Sequence, residues 1–183
     1  MSKFIKLPNT LSIFPLSNFI FFPNTSAPLN IFEPRYIQMI DESMKTDRII
    51  GMAQPKGKSI NEKPDLFKVG CLGKISTFNE TEDGRYVIVL NGVSRFNIVK
   101  EIDNGKPFRE FKINFEGFEN DIDGKEVNIN FSDLDMIFNS LKKIFEKQGY
   151  LINWKELEKQ SLDQTINTLS MASPFSKEEK QML

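Results

Sequence analysis

Apolar positions in the first two-thirds of the chain come in short runs separated by turn residues. Leu11–Pro15 and Ala27–Phe32 read as strands on either side of the loop SNFIFFPNTS. After Pro34 the period changes. Tyr36, Met39, Ile40, Ser43 and Met44 fall at helical spacing, and Pro34 suits a first helical turn, where its missing N–H costs nothing. Arg48–Gln54 predicts a further strand, Lys56–Lys63 a polar loop and Lys68–Phe78 another strand. Asp83-Gly84 marks a tight hairpin before RYVIVL, and Asn104-Gly105 marks a second one between RFNIVKEI and FREFKINF. Asn91-Gly92 interrupts its run as a bulge or a tight bend. Short antiparallel strands with one early helix predict a small barrel or a strongly bent sheet.

The pattern changes near residue 118. Residues 117–130 are polar and rich in turn residues, with room for a hairpin at Asp123-Gly124. From Ser132, a candidate N-cap, the stripe Leu134, Ile137, Phe138, Leu141, Ile144 and Phe145 is helical and ends at Gly149. Trp154–Leu157 reads as a short helix, and Ser161–Ala172 as a longer one with Leu162, Ile166 and Leu169 on one face. Ser176-Lys177-Glu178-Glu179 has the form of a capping box. The organisation predicted is a β-rich part, 1–118, followed by a helical part, 119–183.

Composition narrows the function. A chain of 183 residues can bury a sizeable core, and 17 Phe against one Trp and three Tyr make Phe its main packing unit. The net charge of −1 argues against a nucleic-acid footprint. The absence of histidine removes His-based triads and His metal ligands, and a single cysteine allows no intrachain disulfide. No apolar run is long enough for a membrane span, and the first residues lack a signal-peptide pattern. The three Asn-x-Ser/Thr matches are therefore read as chance, and the expected compartment is the cytoplasm. No cofactor or metal is expected.

Candidate chemistry is thin. GMAQPKGKS (51–59) resembles a phosphate loop but has five residues between its glycines instead of four, and Pro55 removes an amide donor. An ordinary loop is the better reading. The clusters Glu80/Glu82/Asp83 and Glu119/Asp121/Asp123 lie in polar turns, where nothing would raise a carboxyl pKa. A Ser-Lys dyad has no strained nucleophile turn to support it. Cys71 sits in a probable strand as a buried, inert thiol. The densest aromatic cluster is Phe19, Phe21 and Phe22. These rings either fill the core, as large apolar residues usually do, or form an exposed patch on a proline-stiffened loop.

Several stretches in order carry a family resemblance: FPL (14–16), FFPN (21–24), LNIFEPRYIQMI (29–40), GM (51–52), VGCLGKI (69–75), DGRYVIVLNGVSRFNI (83–98) and PFSKEEKQML (174–183). Together they resemble the amino-terminal, substrate-binding domain of the Lon ATP-dependent proteases, as found in short stand-alone proteins. The resemblance implies an α+β fold: a PUA-like pseudo-barrel with one early helix plugging it, then a helical bundle. It implies that Ile31 and Phe32 end a core strand and that Glu33, Pro34, Arg35 and Tyr36 pin the strand–helix junction. Arg95, beside Gly92 and Phe96 in the same signature, is the expected partner of Glu33. Asn24 stands where the family commonly has Gly, and Asn tolerates positive φ well enough for the turn to survive. The sequence holds neither the ATPase module nor the Ser-Lys protease module of full-length Lon.

The implied function is non-catalytic binding of unfolded or exposed polypeptide, as an adaptor to a protease or chaperone. Phe19, Phe21, Phe22 and Pro23 are the expected contact residues, with Phe21 or Phe22 projecting from the rim. An RNA-binding role is the alternative, since PUA-like folds often bind RNA. It lacks a basic stripe with a stacking platform. A small-molecule enzyme is the third reading and lacks a nucleophile, a metal set or a cofactor loop.

Overall fold

The computed structural model describes residues 7–56, 63–123, 131–147, 149–150, 152–157 and 159–182. Among the described residues, six strands and six helices follow in the order β1 (Thr10–Pro15), β2 (Ser26–Ile31), α1 (Pro34–Met44), β3 (Ile49–Ala53), β4 (Val69–Glu80), β5 (Tyr86–Ile102), β6 (Arg109–Asn114), α2 (Glu119–Asp123), α3 (Phe131–Lys147), α4 (Trp154–Leu157), α5 (Leu162–Ala172) and α6 (Lys177–Met182). The fold is α+β, as expected.

The sheet order is β2-β5-β4-β3-β1-β6, and β5 also pairs with β6. Strands β5, β4, β3, β1 and β6 therefore form a closed ring, and β2 adds to the first half of β5. Among the described strands only β1 and β3 run parallel, the connection between them carrying β2 and α1. The seventeen residues of β5 serve two sets of neighbours, β2 and β4 in the first half and β4 and β6 in the second. The bend comes from a bulge. Leu72 pairs with Ser94 but Gly73 pairs with Gly92, so Val93 is the extra residue. The turn residues at Gly84 and Gly105 both have positive φ.

One apolar cluster, around Leu11, Ile13, Leu72, Phe96, Phe111 and Ile113, lies between the ring strands. Phe96 is fully buried, and its ring stands where a Cβ on Gly51 or Gly70 would be. The larger cluster joins β1–β5 to α1, whose Met39 and Ile40 are completely covered. Tyr36 meets Phe14 edge to face at 4.5 Å. The third cluster holds the helical part together through Phe145, Leu157 and Leu169.

Several expectations need correction. β2 ends at Ile31, and Phe32 is 62% exposed, because the period of two turns it outward from the strand that buries Ile31. Residues Glu119–Asp123 form a short helix where a turn was expected, and Gly124 lies outside the described residues. Helix α3 begins at Phe131, so Ser132 falls inside it. Phe138, Leu141 and Phe145 of its stripe face the core, but Ile144 is exposed; the side chains of Leu134 and Ile137 lie outside the described residues. On α5, Thr165 takes the buried place expected of Ile166 and donates to the Leu157 carbonyl at 3.1 Å. The end of the GMAQPKGKS stretch, residues 57–59, also lies outside the described residues.

Candidate functional site

Residues 16–25 join β1 to β2 and are folded by local polar contacts. Asn18 and Asn24 adopt positive φ, 63° and 57°. The Thr25 hydroxyl donates to the Phe22 carbonyl at 2.6 Å, inside the protein. The loop then lies across β5: Asn24 N donates to Gly92 O at 3.1 Å, and Gly92 N donates to Thr25 O at 2.8 Å. Gly92 is required by this approach, since a Cβ there would stand 2.1 Å from the Phe22 carbonyl oxygen. The helical part reaches the same loop. Asn167 Nδ2 donates to Pro23 O at 2.8 Å, and Met171 packs against the larger core cluster.

Between this loop and α6 runs a groove of about 180 Å³. Phe19, Ile20, Phe21 and Phe22 line it from the loop; Met52, Ala53 and Gln54 line it from the end of β3. Val69, Gly70 and Cys71 add the start of β4, and Lys180, Gln181 and Met182 add α6. Helix α6 is seated by a reciprocal capping box, in which Ser176 N donates to Glu179 Oε2 at 2.7 Å and Glu179 N donates to Ser176 Oγ at 3.2 Å. Gln181 Nε2 donates to the Val69 carbonyl at 3.3 Å, and Lys180 Nζ donates to the Met171 carbonyl at 2.8 Å. Burial of the Lys180 ammonium lowers its pKa. Met182 is 81% exposed at the rim. Gln54 is buried with its Nε2 on the Pro55 carbonyl, and its Oε1 has no partner among the described residues.

The expected contact rings divide into two groups. Phe21 and Phe22 are 5% and 6% exposed, so neither projects; that expectation is corrected. The approach of the loop to Gly92 turns both rings inward. Phe19 and Ile20 are the half-buried residues, and the ring of Phe19 stacks on that of Phe21 at 6.4 Å.

Arg95 is also not the partner of Glu33. It grips Asp121 of α2 with its backbone N at 2.9 Å, Nε at 3.0 Å and Nη2 at 2.8 Å, and lies over the Phe118 ring. The Asp121 bond raises the Arg95 pKa further above neutrality. Glu33 instead pairs with its near neighbour Arg35 at 2.7 Å, with both side chains about two-fifths exposed. The junction is held by backbone and packing: Glu33 O accepts from Tyr36 N and Ile37 N at 2.9 and 3.0 Å, Pro34 opens α1, and Tyr36 is buried. Cys71 is buried, and loss of solvation first, with Asp121 nearby second, raises its thiol pKa. The residues that sequence reasoning missed are Asp121, Gln54 and the α6 wall. The capping box at Ser176 was the visible signal for α6; Asp121 stood among other acids with nothing to single it out.

The family model of the ATP-dependent protease La (LON) substrate-binding domain matches residues 10–183. The protein belongs to that family. The Lon protease of Cytophaga hutchinsonii is 33% identical to this LON domain over 113 residues, 60% of this chain and 14% of that protein. The Lon protease of Syntrophus aciditrophicus is 31% identical over 126 residues, 66% of this chain and 16% of that protein. The LON domain thus matches about a sixth or less of these relatives, in their substrate-binding and not their catalytic part. Among solved structures, the Lon N-terminal domain protein from Xanthomonas campestris superposes with a TM-score of 0.66 at 17% identity, over 94% of this chain and 88% of that one. The N-terminal domain of the Mycobacterium avium complex Lon protease gives 0.57 at 12% identity, with the same coverage. These likenesses establish the LON fold. Among the described residues, no helix is long and apolar enough to cross a membrane.

Proposed function

We propose that this LON domain is a non-catalytic module of the cytoplasm that holds unfolded or exposed apolar polypeptide in the groove between the β1–β2 loop and α6. In that role it serves as an adaptor to a protease or chaperone. One observation carries the reading: in a member of the substrate-binding family, the half-buried Phe19 and Ile20 and the exposed Met182 line one groove. Side chains of this kind gain by burial against a ligand, about 1.5–3 kcal/mol each.

The test is fluorescence anisotropy of a labelled, permanently unfolded polypeptide with the purified protein. Ile20→Asp and Met182→Asp are each expected to weaken binding about tenfold or more, the equivalent of about 1.4 kcal/mol. Wild-type affinity in both variants would overturn the groove assignment. A preference for single-stranded RNA, with affinity falling steeply with salt, would replace polypeptide by nucleic acid as the ligand.

A further inference from the structure

Strand β4 outruns its neighbour β3. Lys74 pairs with Ile49, Ile75 N donates to the Arg48 carbonyl at 2.8 Å, and β3 covers nothing beyond. Residues 76–80 continue along β5 alone, and all of them are exposed. Ser76 is the extra residue of a bulge, since Ile75 pairs with Leu90 and Thr77 with Val89. Past the bulge the ladder is regular. Thr81 N donates to Arg85 O at 2.9 Å, and bonded pairs alternate along an antiparallel ladder. Thr77 and Asn79 therefore turn their backbone groups to β5, while Phe78 and Glu80 turn theirs to the open side. Among the described residues, no strand or hydrogen bond covers that side.

The sheet guards its other open edge, on β2. Gly92 N on Thr25 O sets the phase there and aims the backbone of Pro28 outward, where proline offers no N–H. The β4 edge has no proline. Phe78 is 37% exposed, with its ring edge-on to Tyr86 at 4.8 Å. Glu80 lies two residues on, on the same face, and has no ion-pair partner among the described residues.

Unpaired N–H and C=O groups along an edge complement another extended backbone. Glu80 selects among strands: a carboxylate there disfavours a wholly apolar or acidic strand and favours one with a cation across from it. A second copy of β4 fits badly. Centred on Phe78, its turn would run into β3 where Ile49 pairs with Lys74; centred on Glu80, two carboxylates would face each other.

We propose that the open edge of β4 takes an extended polypeptide segment as an added antiparallel strand, with an apolar side chain across from Phe78 and a lysine or arginine across from Glu80. That the ligand is polypeptide rests on the reading above; the site does not, since none of residues 76–80 lines the groove.

The experiment uses a labelled nonapeptide of alternating Val and Thr whose central Val is replaced by Lys, and a second with Glu in that place. Two further forms of the Lys peptide carry backbone N-methyl groups, one on Lys and its Val neighbours, the other on the Thr residues between them. In an added strand only the first set of amides faces β4. Anisotropy at low salt is expected to show the wild type binding the Lys peptide about fivefold or more tighter than the Glu peptide, and Glu80→Lys reversing that order. Glu80 is exposed, so the reversal leaves the fold intact. Methylation of the Lys and Val amides is expected to cost about tenfold or more, and methylation of the Thr amides little. Ile20→Asp and Met182→Asp are expected to bind the Lys peptide like wild type. Equal loss from the two methylations, or no reversal in Glu80→Lys, overturns the added strand. Binding lost in Ile20→Asp or Met182→Asp puts the peptide in the groove, which overturns the edge site while the groove reading stands. Failure of the wild type to bind any nonapeptide also overturns the edge site, and the longer unfolded polypeptide then decides the groove reading separately. Self-association of the wild type in sedimentation velocity, altered in Glu80→Lys, would make a second copy the occupant and overturn the proposal.

Discussion

Asp121→Ala tests how the helical segment after β6 is fastened to the barrel. The substitution removes three hydrogen bonds from Arg95, at 2.8–3.0 Å, and leaves the guanidinium with no carboxylate among the described residues. Breaking a buried pair by removing one member costs about 3–5 kcal/mol. Here the carboxylate side chain is 10% exposed but the guanidinium 36%, so water recovers part of that loss. The expected destabilisation is therefore about 2–3 kcal/mol. For a protein of this length it corresponds to a fall of about 5–10 °C in melting temperature. Asp121→Asn keeps an acceptor and loses the charge, so it is expected to cost about half as much. The assay is urea unfolding followed by far-UV circular dichroism, with the slope checked against wild type. A double-mutant cycle with Arg95→Met is expected to give a coupling of about 1.5 kcal/mol. Glu33→Ala, which breaks only an exposed pair, is expected to change stability by less than about 0.5 kcal/mol. Asp121→Ala within about 0.5 kcal/mol of wild type, or Glu33→Ala matching it, would refute the assignment of the fastening to Arg95 and Asp121.

Gly92→Ala would place a methyl group 2.1 Å from a backbone oxygen of the β1–β2 loop, so a loss of about 3 kcal/mol in urea unfolding is expected. Tyr86 donates to Asp41 at 2.8 Å, and that bond raises its pKa to about 12. Because the folded value lies above the ordinary 10.0, the stability it adds is complete below pH 10 and lost as pH rises through 12; the difference between wild type and Tyr86→Phe should shrink over that interval. A tyrosinate absorbance change assigned to Tyr86 near pH 10 would contradict this. Cys71, buried and with its thiol pKa raised, is expected to resist a disulfide-exchange reagent at pH 8 until the protein is unfolded in urea. Rapid labelling of the native protein would count against that burial.

The elements whose residues carry their own local chemistry were legible in advance. Pro34 before a helical stripe announced α1, the Asp-Gly and Asn-Gly pairs announced the hairpins, and Ser176 with Glu179 announced α6. The Asn91-Gly92 bend was readable as an interruption; its purpose, the passage of the β1–β2 loop over β5, was not. Contacts between distant segments left no local mark. Glu33 and Arg95 each stand in a conspicuous stretch, which suggested a pair, yet Arg35 is two residues from Glu33 and takes its charge. Asp121 stands between Glu119 and Asp123, and nothing in the sequence sets it apart from those acids. The rings of Phe21 and Phe22 could be named as apolar but not aimed, since only the crossing at Gly92 decides which way the loop turns. Gln54 gave no signal: its significance is that a buried acceptor lacks a partner among the described residues, and burial is a property of the whole fold.

The place of β1 in the ring bears on the order in which a ribosome delivers the protein. Thr10 is paired with Lys112, so the first strand made waits for the last. At roughly 5–20 residues added per second, that wait is about 5–20 s, during which β1 has β3 as its neighbour but an open edge on the other side. The nascent polypeptide leaves the exit tunnel as an incomplete cylinder with an apolar seam, and synthesis of residues 109–114 is the step that zips it shut. A stall or truncation shortly before that point would release a product already possessing most of its strands and still able to recruit a stray one.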